Sequence, residues 1–137
     1  QEYKETIAMT DIMSTGLSEI ETQQFFDMLE SGLVNLGAFN VTTGNIRDKA
    51  IKEVKFQQTS GCVDQKCAAE VGKFLGSNVM IIPSISFVKD KKDMTLTLKL
   101  VDVEMASIKT TLTKEVKVTE MFKSSEWLLL LVVDKQG

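Results

Sequence analysis

The chain has 137 residues, enough for one domain that buries a real core. Its apolar fraction of 43% and charged fraction of 26% are those of an ordinary soluble globular protein. The net charge of −3 is spread along the chain without basic clusters, which argues against a nucleic-acid partner, and the only long apolar run is too short to cross a bilayer as a helix.

Tyr3 to Thr10 reads as a first strand with Ile7, Ala8 and Met9 as its buried part, broken by Ser14-Thr15-Gly16. Leu17-Ser18 leads into a helix ending at Leu36. Ile20, Phe25, Met28, Leu29, Leu33 and Leu36 form its apolar stripe, and Glu19, Glu21, Gln24, Asp27 and Glu30 face water. Gly37 suits a C-cap, and Ala38 to Thr42 reads as a short second strand. A second helix is expected from about Asn45 to Gln58, with Ile46, Ala50, Ile51 and Val54 inward and Lys49 and Glu53 as a surface ion pair.

The segment from Ser60 to Gly76 contains both cysteines. Asp64 is a good N-cap, Ala68, Val71, Phe74 and Leu75 recur at helical spacing, and Gly76 suits a left-handed C-cap. On one continuous helix Cys62 and Cys67 would lie too far apart to bridge. With Cys62 in the loop before the cap and Cys67 in the first turn, the chain can fold back and join them. A disulfide here implies an oxidising compartment and would set the angle at which the loop enters the helix. A reduced pair is the plain alternative. Zinc would need two more ligands, and the chain has neither histidine nor a third cysteine.

Asn78 to Lys89 reads as a central strand, apolar on both faces at first. Pro83 must then sit at a bulge or point its missing amide away from a neighbour. Asp90-Lys91-Lys92-Asp93 is a charged hairpin turn. In the next strand Met94, Leu96, Leu98 and Leu100 share a face, after which Val101, Val103 and Met105 are the apolar positions. That change of phase predicts a bulge near Leu100 or Val101. Ile108 to Val118 reads as a final edge strand rich in lysine and threonine, with Ile108, Leu112, Val116 and Val118 on one face. Thr119 onward is either a terminal helix or a strand. Its run Trp127, Leu128, Leu129, Leu130, Leu131, Val132 and Val133 is apolar all round and needs either complete burial or a partner, so it is the candidate interface.

Residue chemistry argues against an enzyme. Without histidine, a serine or cysteine nucleophile lacks its commonest base. Gly72 and Gly76 are not part of a phosphate loop, because the Gly-Lys-Ser/Thr ending is missing. Asp102 and Glu104 share a strand face, which a solvated edge explains more simply than a cation site. No catalytic, cofactor-binding or metal-ligating residue is assigned.

Three stretches together resemble the CsgG-type superfamily, the group of the curli secretion channel, the penicillin-binding-protein activator LpoB and domains like the amino-terminal domain of TolB. They are Leu33-Val34-Asn35-Leu36-Gly37-Ala38-Phe39, the segment from Gly61 to Gly76, and Leu96 to Glu104. The likeness runs to about Val118. It departs at Thr43-Gly44, where relatives often carry Glu-Arg, and at Pro83 and Met105-Ala106-Ser107, where they often carry glycine. The resemblance implies one α/β domain over residues 1–137. Its mixed sheet has about five strands with three to four helices packed on it, in the order β-α-β-α-α-β-β-β-(α or β). It also implies a periplasmic protein associated with the outer membrane. Gln1 is not a natural start, so the sequence reads as mature or trimmed, with room for a lipid anchor upstream. No strand pair is free to form a transmembrane barrel, which argues against a secretion channel. Two functions remain: a non-enzymatic module that docks on an envelope protein as an accessory or activator, for example in peptidoglycan synthesis, or a self-assembling subunit of a secretion or flagellar complex.

Overall fold

β1 spans Thr6–Met9 and β2 Met13–Thr15, followed by α1 over Glu19–Leu36 and β3 at Asn40–Val41. α2 spans Gly44–Lys55 and α3 Gln65–Leu75, and β4 (Val79–Phe87), β5 (Asp93–Asp102) and β6 (Ser107–Lys117) complete the order. This is a computed structural model that describes residues 4–55, 64–87 and 93–117. Several expected features lie outside those residues: the start of the first strand at Tyr3, the end of the second helix near Gln58, Cys62, the turn at Asp90-Lys91-Lys92, and everything from Val118, including Trp127 to Val133.

The strands form one six-stranded mixed sheet in the order β3-β1-β4-β5-β6, with β2 also paired to β4. The strand additional to the expected five is β2. Met13-Ser14-Thr15 pairs in parallel with Ser84-Ile85-Ser86 before Gly16, at φ +89°, turns the chain away. Pro83 is accommodated by its position along β4. β1 pairs with Val79–Ile81 and β2 with Ser84–Ser86, so Pro83 lies where one parallel partner gives way to the other. Because the Ile81 carbonyl accepts from Thr10 N–H on that edge, the alternation of strand groups turns the missing amide of Pro83 to the same side, into the gap.

The central strands are apolar on both faces because both faces are covered. Ile7, Met9, Val79 and Ile81 pack with Phe25, Phe26, Leu29 and Leu33 of α1. Ala8, Met80 and Ile82 pack on the other side with Ala50, Ile51 and Val54 of α2 and Ala68 and Val71 of α3. Among the described residues, one helix covers one face and two cover the other.

The bulge is present at the expected step between Leu100 and Val101, but the extra residue is Lys109 of β6. The change of apolar face has a second cause, since β5 itself alternates regularly. Met94, Leu96, Leu98 and Leu100 face α1, while Val101 and Val103 belong to the opposite face where α3 covers it. Gly72 lets α3 come this close. A Cβ there would stand 2.9 Å from Met80 Cγ and closer still to the branched side chain of Val103.

Five residues expected on apolar faces are exposed: Ile20, Ile46, Phe74, Met105 and Ile108, the last because the bulge at Lys109 turns it to the face opposite Leu112. At ~100° per residue Ile20 lies on the far side of α1 from Leu29, and Phe26 falls in the stripe instead. Arg47 likewise lies closer than Ile46 to the line through Ala50, Ile51 and Val54. Met105 is in the turn between β5 and β6 rather than in a strand. Lys49 and Glu53 do not pair; on α2 it is Arg47 that forms ion pairs, with Glu30 and Asp48.

Gly72→Ala should lower stability by about 1–2 kcal/mol, because overpacking (about 1–3 kcal/mol) exceeds the ~1 kcal/mol gain in helix propensity. Urea denaturation checks this. A stabilised Gly72→Ala variant would mean that α3 does not approach Val103 so closely.

Candidate functional site

Open α/β sheets offer a ligand crevice where connections leave neighbouring strands in opposite directions, beyond their carboxyl ends. In this topology that place lies between β1 and β4, because α1 leads from β1 to β3 while α2 and α3 lead back across to β4. The chain itself fills it. Thr10 N–H donates to the Ile81 carbonyl at 2.9 Å, and β2 then takes the pairing positions along Ser84–Ser86.

The N-terminus of α1 is also occupied. Ser18 Oγ accepts from Glu21 N–H at 3.2 Å, and Glu21 Oε1 accepts from Ser18 N–H at 3.0 Å. The latter bond holds the Glu21 carboxyl below its ordinary range. A carboxylate therefore stands where an anionic ligand would have to bind.

Arg47 is the functional-type side chain that pattern reading missed. From the first turn of α2 it reaches α1, with its guanidinium 4.4 Å from the centre of the Phe26 ring. Nη2 donates to Asp48 Oδ1 at 2.7 Å, and Nε stands 3.5 Å from Glu30 Oε2. These last two atoms are buried and have no hydrogen-bond partner. Burial pushes the Glu30 carboxyl above its ordinary value, and the Arg47 charge opposes the shift only in part. A cavity of about 410 Å³ opens beside the cluster, lined also by Asp11, Ile12 and Gln23. The sequence signal was available: a cation at a core position of a helical stripe.

A second cavity, of about 680 Å³, lies between the end of α3, the start of β4 and the turn after β5. Lys73 and Lys109 line it together with Glu5, Asp102 and Glu104. Asp102 Oδ1 accepts from Met105 N–H at 2.9 Å, so this carboxylate shapes the turn. Ser77 Oγ is buried at the cavity without a hydrogen-bond partner, so no base activates it. No group of metal-ligating residues is found among the described residues.

Of the site residues proposed from sequence, Cys67 is described. It is fully buried in the first turn of α3, and its N–H donates to Asp64 Oδ1 at 2.8 Å, so the Asp64 cap is as expected. Where α3 no longer covers the sheet, the same face carries Ser84, Thr95, Thr97 and Lys99, and this polarity contrasts with the apolar α1 side. No described helix is long and apolar enough to cross a membrane.

The model of one family, the peptidoglycan-synthase activator LpoB, matches residues 1–119. The chain belongs to this family. It is accordingly a non-enzymatic accessory or activator of the envelope. Among solved structures, the LpoB C-terminal domain from Escherichia coli is similar at a TM-score of 0.63 and 15% identity, covering 82% of each chain. TolB from Acinetobacter baumannii gives 0.57 and 12%, covering 93% of this chain and 27% of that one. The PelC dodecamer from Paraburkholderia phytofirmans gives 0.54 and 12%, covering 92% and 86%. At these identities the likeness is one of fold. No curated protein sequence matches the chain significantly.

The Arg47 cluster gives a test with a sign. Arg47→Ala should cost about 2–4 kcal/mol, since it leaves Glu30 buried without its cation. Glu30→Gln should cost much less. A carboxyl whose value is raised on folding stabilises the protein below its unfolded value near 4.5 and loses that contribution as pH rises through the folded value. The parent should therefore lose stability relative to Glu30→Gln as pH rises from 4.5 toward neutrality. Parallel thermal melts across that range measure it, and the opposite slope would refute the assignment.

Proposed function

We propose that this chain docks from the periplasm onto a peptidoglycan synthase and activates it by contact. The observation that carries this reading is the family match over residues 1–119. The 1–137 domain works as one unit on this reading, held near the outer membrane by a lipid anchor upstream of Gln1. The broader kinship is with the CsgG-type superfamily.

The apolar run Trp127, Leu128, Leu129, Leu130, Leu131, Val132 and Val133 gives one face to its own domain and the other to the synthase. Each leucine or valine left in water forgoes about 1.5–3 kcal/mol, so a run this long favours cover on both sides. With purified synthase, the chain should bind and raise the rate of glycan polymerisation. Leu129→Asp and Leu131→Asp should separate, one lowering the melting temperature and the other abolishing stimulation at nearly unchanged stability. Absence of both binding and stimulation by the parent would sink the proposal.

The loop leading into α3 is pinned by a Cys62–Cys67 disulfide on the same reading. The burial of Cys67 beside the Asp64 cap supports this, as does an envelope location. Intact mass after alkylation, with and without prior reduction, should show two thiols only after reduction. Two thiols alkylated without reductant would exclude the bridge.

A further inference from the structure

β6 is the outermost strand on its side of the sheet among the described residues, and at eleven residues it is one of the two longest described strands. Strand edges of this length expose a row of main-chain donors and acceptors that another strand can pair with. The pairing phase shows which groups are offered. Ile81 bonds toward β1, so Ile82 and its partner Lys99 bond to each other, and Leu98 and its partner Leu112 face one another across β5 and β6. The outward groups of β6 therefore belong to Thr111, Thr113 and Glu115, whose side chains are exposed on the face opposite the buried Leu112.

We infer that β6 pairs antiparallel with β6 of a second copy of this chain, about a two-fold axis at Leu112. A two-fold axis here must pair residues of the same face. Centred on Leu112, it sets Thr111 opposite the partner's Thr113 and Lys109 opposite the partner's Glu115, and symmetry repeats each contact. Centred on Thr113, it would oppose Lys109 to the partner's Lys117. Centred on Thr111, it would leave Glu115 opposite the partner's Ser107 and pair no opposite charges. Charge complementarity therefore selects Leu112. Lys109 is the extra residue at the bulge, and it lines the cavity with Lys73 and Val103, so its side chain is on the same face as Thr111 and Thr113. The contact makes one continuous sheet across two subunits and needs no apolar patch. It is separate from the docking role proposed above, so either can fail without the other.

The test is sedimentation of the full chain over a concentration series, with four variants. The parent should show a monomer–dimer equilibrium. Lys109→Glu and Glu115→Lys should each weaken it about tenfold or more, because two facing pairs become like-charged. The double variant Lys109→Glu/Glu115→Lys should restore it. Thr111→Pro removes an outward N–H and no bond to β5, so it should abolish the dimer while the monomer keeps its fold by circular dichroism. A parent that stays monomeric, or a double variant no better than the singles, would overturn the inference. So would a Thr111→Pro that destabilises a monomeric parent, which would assign this edge to the chain's own residues 118–137.

Discussion

β4 exchanges main-chain hydrogen bonds with β1 and β2 in parallel along one edge and with β5 in antiparallel along the other. Both of its faces are buried from Val79 to Pro83, so a change in its register by one residue would invert every contact on both sides there. Ile81 and Ile85 would leave the α1 core, and Met80 and Ile82 would leave the α2–α3 core. The positions of the three helices follow from that register. Pro83 is compatible with it at the single stretch where the edge passes from β1 to β2.

The same arrangement removes the usual place for chemistry. In many open α/β folds the carboxyl ends of the strands form a crevice that takes a nucleotide or coenzyme. Here β2 is paired into that position, and the first turn of α1 carries its own carboxylate through the Ser18–Glu21 capping box. What remains near the crevice is Arg47, packed on Phe26 and flanked by Glu30 and Asp48. It links α2 to α1. A fold closed in this way can still influence a partner by contact, as expected of an LpoB-family activator.

The two faces of the sheet end differently. α1 lies along an apolar surface running from Ile7 in β1 to Leu112 in β6. On the other face α3 covers the end containing Val101 and Val103, where Gly72 allows close approach, and beyond it threonines and Lys99 take over. The hydrophobic pattern of β5 records this boundary. It changes where the covering helix changes, and the bulge at Lys109 lets β6 follow the turn.

Much of the architecture was legible in the residues. Asp64 and Gly76 bound α3 because side-chain capping and left-handed backbone are local properties. The bulge step, the outermost place of β6 among the described strands and the two-sided burial of the first half of β4 were readable from alternation, and the lack of histidine already argued against catalysis. Tertiary structure decided what depends on partners distant in the chain. The strand character of Met13–Thr15 exists only because the second half of β4 lies alongside, and no local signal marks it. Arg47 could replace Ile46 inside because Phe26 and Glu30 of another helix receive its charge. Which strand carries the extra residue was likewise set by pairing between β5 and β6, since a bulge belongs to two strands at once. Periodicity reports a side chain's own element, whereas a crevice, a clamp or a bulge is made where elements meet.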